Sequence, residues 1–186
     1  ALWEIVAHDG AGASAASPAD PAEHPEARDL LVLVHDAARP IVSARVIDEV
    51  AGRLRESREA GGRPRAVIPV VPVGETLKEV AWPLGESPRV GLGGPAPGRS
   101  RLVGHVERTV PREGLWLAQT PQGFTLGPLL AAHRQAMAAG LDATDDAMLY
   151  EWKQWCVESV PGSPGNIKVT YPEELALLAR ALADRV

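Results

Sequence analysis

The stretch "LLVLVHDAARP", residues Leu30 to Pro40, changes character halfway along. Five apolar residues run directly into His35, Asp36, two alanines, Arg39 and Pro40. A short continuous apolar run bounded by polar turn residues predicts a strand covered on both faces in a parallel sheet. Pro40 and the polar turn weigh against a buried helix segment. Ser43 then offers an N-cap for a helix whose inner face carries Val46, Ile47, Val50 and Leu54, and Gly61 and Gly62 end it. "AVIPVV", Ala66 to Val71, is the next predicted strand, with Pro69 expected at a bulge or interruption. Strand, helix and strand make one βαβ unit with a right-handed crossover.

Outward from this unit the chain reads as a single α/β domain over residues 1–186, with no internal repeat. "ALWEIVAHDG" suggests an amphipathic helix with Leu2, Ile5 and Val6 on one side, and residues 10–28 a mobile loop of Ala, Pro, Ser and acid. From Val80 to Thr109 the apolar pattern lapses into Gly and Pro. Five arginines and a single glutamate lie between Ser87 and Arg112, so the segment reads as a protruding arm. "GLWLAQTPQGF" returns to strand composition. Thr125 opens a predicted helix with Leu130, His133 and Met137 along one face and Gly140 as its stop. Thr144 is the predicted N-cap of the next helix, with Asp145 and Asp146 in its first turn. "CVESV" and "NIKVT" read as strands, and "TYPEELALLARAL" as a helix with a Thr170–Glu173 capping box and a stripe of Leu175, Leu178 and Leu182.

Composition narrows the functional classes. The net charge of −5 argues against general affinity for nucleic acid or anionic membrane, so any phosphate binding must come from local Arg and Lys clusters. One cysteine, Cys156, rules out a disulfide framework and suits a reducing, cytoplasmic setting. No apolar run approaches a membrane span, and the first ten residues carry acids and no basic residue, unlike a signal peptide. The five histidines have no metal-ligand spacing. His35 is expected to pack or hydrogen-bond at the strand end.

In open α/β sheets ligands sit beyond the carboxyl ends of the strands, where Asp36 and Arg39 fall. An Asp there can hold a divalent cation or a substrate hydroxyl, and an Arg can clamp a phosphate. Alternatively the two pair with each other to stiffen a turn. Position alone leaves both readings open.

"VLVHDAARP", "TPQGF", "ATDD" and "NIKVTYPEEL" occur in that order. Together they resemble the 2-C-methyl-D-erythritol 4-phosphate cytidylyltransferases of the non-mevalonate isoprenoid pathway, from Leu30 to the C-terminus apart from the arm tip. The resemblance implies a Rossmann-like nucleotidyltransferase sheet, incomplete at the N-terminus, with a dimerisation β-arm at residues 76–114. It implies transfer of a cytidylyl group from CTP to methylerythritol phosphate with release of pyrophosphate, Mg²⁺ being bound with the CTP. It further implies a homodimer whose active sites both subunits build.

Residue by residue, the resemblance assigns Asp36, Ala37 and Arg39 to the acidic loop that contacts the methylerythritol phosphate, with Asp36 also beside the metal. Lys168 in "NIKVT" matches the lysine that positions the attacking phosphate. Thr76 at the arm's base and Arg112 on its return strand match residues that reach the neighbouring subunit's substrate. Thr120 and Thr144 match hydroxyls that contact substrate. Arg112 and Lys168 are the implied catalytic cations.

The sequence contains neither the family's Gly-rich loop with an Arg nor its "PKQ" lysine, which hold the triphosphate. It therefore resembles the C-terminal two-thirds of such an enzyme. Lacking the first strand, its sheet is expected to expose apolar faces and strand edges, and the 186 residues alone are expected to be inactive. The alternatives are a ribitol 5-phosphate cytidylyltransferase, against which "DAARP" rather than "DAVRP" counts, and a non-catalytic dimerisation or regulatory module. Retention of Asp36, Arg39, Thr144 and Lys168 together weighs against the latter.

Overall fold

The computed structural model describes residues 4–6, 28–82 and 103–171, with Glu174 and Leu178. The loop expected at 10–28, save Arg28, and the arm tip at 83–102 lie outside the described residues. The chain divides into two compact units, Ala1–Val71 with Ala118–Asn166, and Pro72–Leu117 with Ile167–Val186.

The first unit is a sheet with helices on both faces. Its strands are β1 (Glu4–Val6), β2 (Leu31–His35), β3 (Arg65–Pro72), β7 (Gln122–Thr125) and β8 (Cys156–Pro161), and its helices α1 (Ala44–Glu59), α2 (Leu126–Ala138) and α3 (Asp146–Trp152). The spatial order is β1-β2-β7-β3, with β8 pairing β3. Alternating side chains of β2 serve the two faces. Val32 packs with Ala66, Phe124, Leu129 and Tyr150, while Leu31 and Leu33 pack against Val50, Leu54, Val67 and Val160. The expectation of a strand covered on both sides holds, and each fully buried aliphatic side chain contributes about 1.5–3 kcal/mol.

Its pairing differs from expectation. Both neighbours of β2 are antiparallel: β7, in the register Val32↔Phe124, and β1, with Ile5 opposite Val34. β7 inserts between β2 and β3, so the βαβ unit skips a strand, and the parallel ladder lies instead between β3 and β8. The N-terminal stretch expected as a helix is a strand at residues 4–6. It pairs with the otherwise open side of β2, which uses backbone groups that an edge would leave without partners.

Ser43 caps α1, its side chain accepting from the Val46 amide, and the helix buries Val46, Val50 and Leu54. Gly61 and Gly62 follow with φ of 70° and 100°, a left-handed turn that suits glycine. β3 runs through Pro69, paired with Val160, without a bulge. α2 buries Leu129, Ala132 and Ala136 rather than Leu130, His133 and Met137, and Met137 is 79% exposed. The inner face is one residue off the expected stripe because small alanines let α2 approach α3 and Leu149. Asp145, not Thr144, caps α3, accepting from the Met148 amide at 2.9 Å. Its carboxylate is both the better acceptor and the one aligned with the first turn.

The second unit contains a two-stranded antiparallel ladder of β4 (Leu77–Ala81) and β5 (His105–Val110), with a register shift at Glu79/Val80. β6 (Trp116–Ala118) leads back towards the first unit along the chain. Residues 167–170 are not a strand, contrary to the expectation for "NIKVT". The carboxylate of Glu174 accepts from the Thr170 and Tyr171 amides, and Glu173, the expected capping-box partner of Thr170, lies outside the described residues. Of the expected leucine stripe only Leu178 is described, and it is helical.

Candidate active site

The carboxyl end of β2 passes into a tight turn. The Arg39 amide donates to the Asp36 carbonyl at 2.8 Å and the Ala38 amide to Asp36 Oδ1 at 3.0 Å. That is a backbone turn reinforced by its own aspartate, a role for which Asp is well suited. The turn is stiffened by Asp36 itself, through its own carbonyl and carboxylate. Yet the guanidinium is directed away along the chain's return segment. Nη1 donates to the Asn166 carbonyl at 2.7 Å and Nη2 to the Ala118 carbonyl at 3.4 Å. Burial lowers the Arg39 pKa from its usual value, with Asp36 opposing, and the group stays charged at any physiological pH.

Thr120 closes the turn from the other side. The Asp36 amide donates to Thr120 Oγ1 at 2.9 Å, and His35 Nδ1 lies 2.9 Å from the same oxygen. His35 does hydrogen-bond at the strand end, as expected. Thr120 precedes a cis bond to Pro121 and the start of β7, so the strand that pairs β2 also delivers this hydroxyl.

Residues without an assigned role hold the cluster together. Asn166, fully buried, donates from Nδ2 to the Thr120 carbonyl at 2.7 Å. Gln119 accepts from the Ser163 amide at 3.1 Å and donates to the Ser163 carbonyl at 2.9 Å. Gln122 donates to Asp145 Oδ2 at 2.8 Å and accepts from the Ala147 amide at 3.1 Å, tying the start of β7 to the start of α3 beside Thr144. Each of the three lies in a segment of strand composition, where a polar residue that ends up buried is the one available signal. Arg39 Nε and Asn166 Oδ1 are buried without a partner among the described residues.

Of the expected site residues, the first unit brings together Asp36, Ala37, Arg39 and Thr120 in one turn. Thr144, one residue from Asp145, is linked to the same β7 segment through Gln122. The Thr144 hydroxyl and amide face Met148 Sδ at 3.8 and 3.5 Å, so the hydroxyl takes no part in capping. The second unit holds Thr76, Arg112 and Lys168, all exposed. Arg112 donates to the Gly74 carbonyl, and Leu77 pairs with Val110, so Thr76 and Arg112 sit at the paired base of the β4–β5 ladder. Among the described residues no cluster of three or more His, Cys, Asp or Glu could hold a metal by itself. None of their helices is long and apolar enough to cross a membrane.

The comparisons with known proteins agree with this architecture. The family model for 2-C-methyl-D-erythritol 4-phosphate cytidylyltransferase matches residues 21–90 and 99–184. The enzyme of that name from Paraburkholderia phymatum is 40% identical over 154 residues, 83% of this chain and 55% of its own. A bifunctional IspD/IspF enzyme from Mesorhizobium japonicum is 40% identical over 154 residues, 82% of this chain and 31% of its own. The crystal structure of the cytidylyltransferase from Thermus thermophilus superposes with a TM-score of 0.60 at 39% identity, covering 84% of this chain and 62% of that one. The chain thus spans about a third to three-fifths of the length of these relatives. With "HDAARP" forming the turn at a strand end and the family match running on both sides of the arm tip, the chain belongs to the 2-C-methyl-D-erythritol 4-phosphate cytidylyltransferase family.

Proposed function

We propose that the protein to which this chain belongs transfers a cytidylyl group from CTP to 2-C-methyl-D-erythritol 4-phosphate in isoprenoid precursor synthesis. The observation that carries the reading is the built turn Asp36–Arg39, fastened by Thr120 and Asn166, in a chain of this family. A phosphate oxygen of the substrate forms a bond to the α-phosphorus of CTP. The bond from that phosphorus to the β-phosphate bridging oxygen breaks, and pyrophosphate leaves with the electron pair. Little covalent work falls to the protein, which must align two polyanions and offset the charge between them.

Arg39 supplies a fixed cation beside the acidic turn, and Asp36 and Ala37 line the polyol side. Lys168 and Arg112 are assigned as the cations that meet the attacking phosphate, Arg112 and Thr76 acting on the substrate of the partner subunit in a homodimer. Thr120 and Thr144 provide hydroxyls. The donor set suits Mg²⁺ only in part. A single carboxylate, Asp36, matches the habit of Mg²⁺ of binding through one or two carboxylates together with substrate phosphates and waters. Such an ion, bound with CTP, would offset charge on the triphosphate. The absence of the Gly-rich Arg loop and the "PKQ" lysine from this sequence supports the further proposal that these 186 residues alone are inactive. The setting proposed is cytoplasmic, without nucleic-acid or membrane partners.

The test is pyrophosphate release by the full-length protein with CTP, Mg²⁺ and either methylerythritol phosphate or ribitol 5-phosphate. Turnover with the first is expected. Preference for ribitol phosphate would replace the substrate assignment, and turnover of neither would favour a non-catalytic module.

A further inference from the structure

His35 closes β2 and faces two partners at once. Its Nε2 lies 2.9 Å from the Arg39 carbonyl oxygen and its Nδ1 2.9 Å from Thr120 Oγ1. A carbonyl oxygen has no hydrogen to give, so Nε2 must carry the proton. In the neutral ring Nδ1 is then bare and can only accept, which commits the single hydroxyl hydrogen of Thr120 to it. The Asp36 amide already occupies one lone pair of the same oxygen, at 2.9 Å. Beside the neutral ring Thr120 therefore has one lone pair left and no hydrogen to donate.

We propose that His35 is a positioning residue that holds Thr120 as a pure hydrogen-bond acceptor, so the group Thr120 meets is a hydroxyl of a polyol substrate and not a phosphate oxygen. The inference rests on the proposed function and deepens it, by dividing the site between an acceptor that selects hydroxyls and cations that select phosphate. The turn does not need His35 for its shape, because the Arg39 amide to Asp36 carbonyl bond and the Ala38 amide to Asp36 Oδ1 bond already define it. What the ring adds is direction: it fixes which way the Thr120 hydrogen points.

Two measurements on the full-length protein test this. Long-range ¹H–¹⁵N spectra of histidine-labelled protein read the tautomer directly, with the His35 signals assigned by their loss in His35→Gln. A proton on Nε2, a bare Nδ1, and a Thr120→Val change that moves the Nδ1 resonance but not Nε2 are expected. A proton on Nδ1, with or without one on Nε2, would overturn the relay. For kinetics, glutamine at position 35 keeps a donor near the Nε2 position and loses the acceptor beside Thr120, whereas asparagine places an acceptor there. His35→Gln is expected to raise KM for methylerythritol phosphate about tenfold with kcat within about twofold, and His35→Asn to recover most of that loss. A merely structural ring would lower stability in both variants and leave the KM-to-kcat split equal, which would sink the proposal. If the wild-type protein turned over no polyol phosphate, the proposed function and the hydroxyl assignment would fall together, while the spectra would still decide the relay.

Discussion

Asn166 does its work from complete burial. Its Nδ2 holds the Thr120 carbonyl and its own carbonyl holds Arg39, so one residue ties the return segment to the acidic turn. Asn166→Ala leaves the Thr120 carbonyl without that donor, and denaturant unfolding should register a loss of about 1–3 kcal/mol. No loss would mean that the turn is held elsewhere. Glu158 is the other tightly held side chain, with Arg53 and Arg65 each at 2.5 Å and Ser57 at 2.8 Å. Burial alone would raise its pKa, but the hydrogen bonds from Arg65, Ser57 and Arg53 together bring it below the usual glutamate value. A depressed carboxylate contributes stability that is complete above its unfolded pKa of about 4.3 and fades as pH falls through the lower folded value. Urea midpoints measured down to about pH 3 should therefore fall more steeply in the wild-type protein than in Glu158→Gln, and parallel acid limbs would contradict this. At this scale motif order singles out Asp36, Arg39 and Thr120 without coordinates, and the fold brings the three together. Gln119, Gln122 and Asn166 are not singled out, since a polar residue within a strand-like run gains its role only when a distant segment folds onto it. Threonine suits an N-cap, so the sequence points to Thr144, but the next residue, a carboxylate, takes that place.

Among the elements, β7 had the weakest signature and the largest consequence. Its Gly123 lies under α1, where an added Cβ would stand 2.8 Å from Val50 Cγ1, 3.2 Å from Leu54 Cδ2 and 3.3 Å from Leu33 Cδ2. Val50 is β-branched and fully buried, so it cannot swing away cheaply. Gly123→Ala should cost about 1–3 kcal/mol by thermal or chemical unfolding, and a neutral result would mean that α1 lifts freely from the sheet. The apolar run of β2 and the 3.6-residue spacing of α1 revealed both elements, because each pattern reports one element's own burial. Strand direction is different. β2 reads the same beside a parallel or an antiparallel neighbour, so the insertion of antiparallel β7 could not be read from β2 itself. The α2 stripe failed for a related reason. Alanine carries little hydrophobic signal, yet Ala132 and Ala136 are what allow the close approach to α3.

Over the whole molecule, the two units treat apolar surface differently. The first packs Val32, Leu54, Phe124, Leu149 and Tyr150 into three buried clusters and leaves Met137 of α2 at its surface. The second leaves Val106 60%, Trp116 57% and Leu117 54% exposed on and just after its two-stranded ladder. A lone hairpin of that kind is marginal in water, and an apolar surface of this sort calls for a covering partner. In the reading proposed here the partner is a second copy, engaged through the arm. Val106→Asp tests it cleanly, because a side chain this exposed in the single chain has little folding energy to lose, about 0.5 kcal/mol or less. A charge placed in an apolar interface between copies, by contrast, is desolvated against its counterpart and disfavours association strongly. Light scattering on the full-length protein should give the mass of a dimer for the wild type and of a monomer for Val106→Asp, with unfolding midpoints otherwise close. Equal masses for the two proteins would remove β5 from any interface, and with it the assignment of Thr76 and Arg112 to a neighbour's substrate, since both residues stand at the base of that ladder.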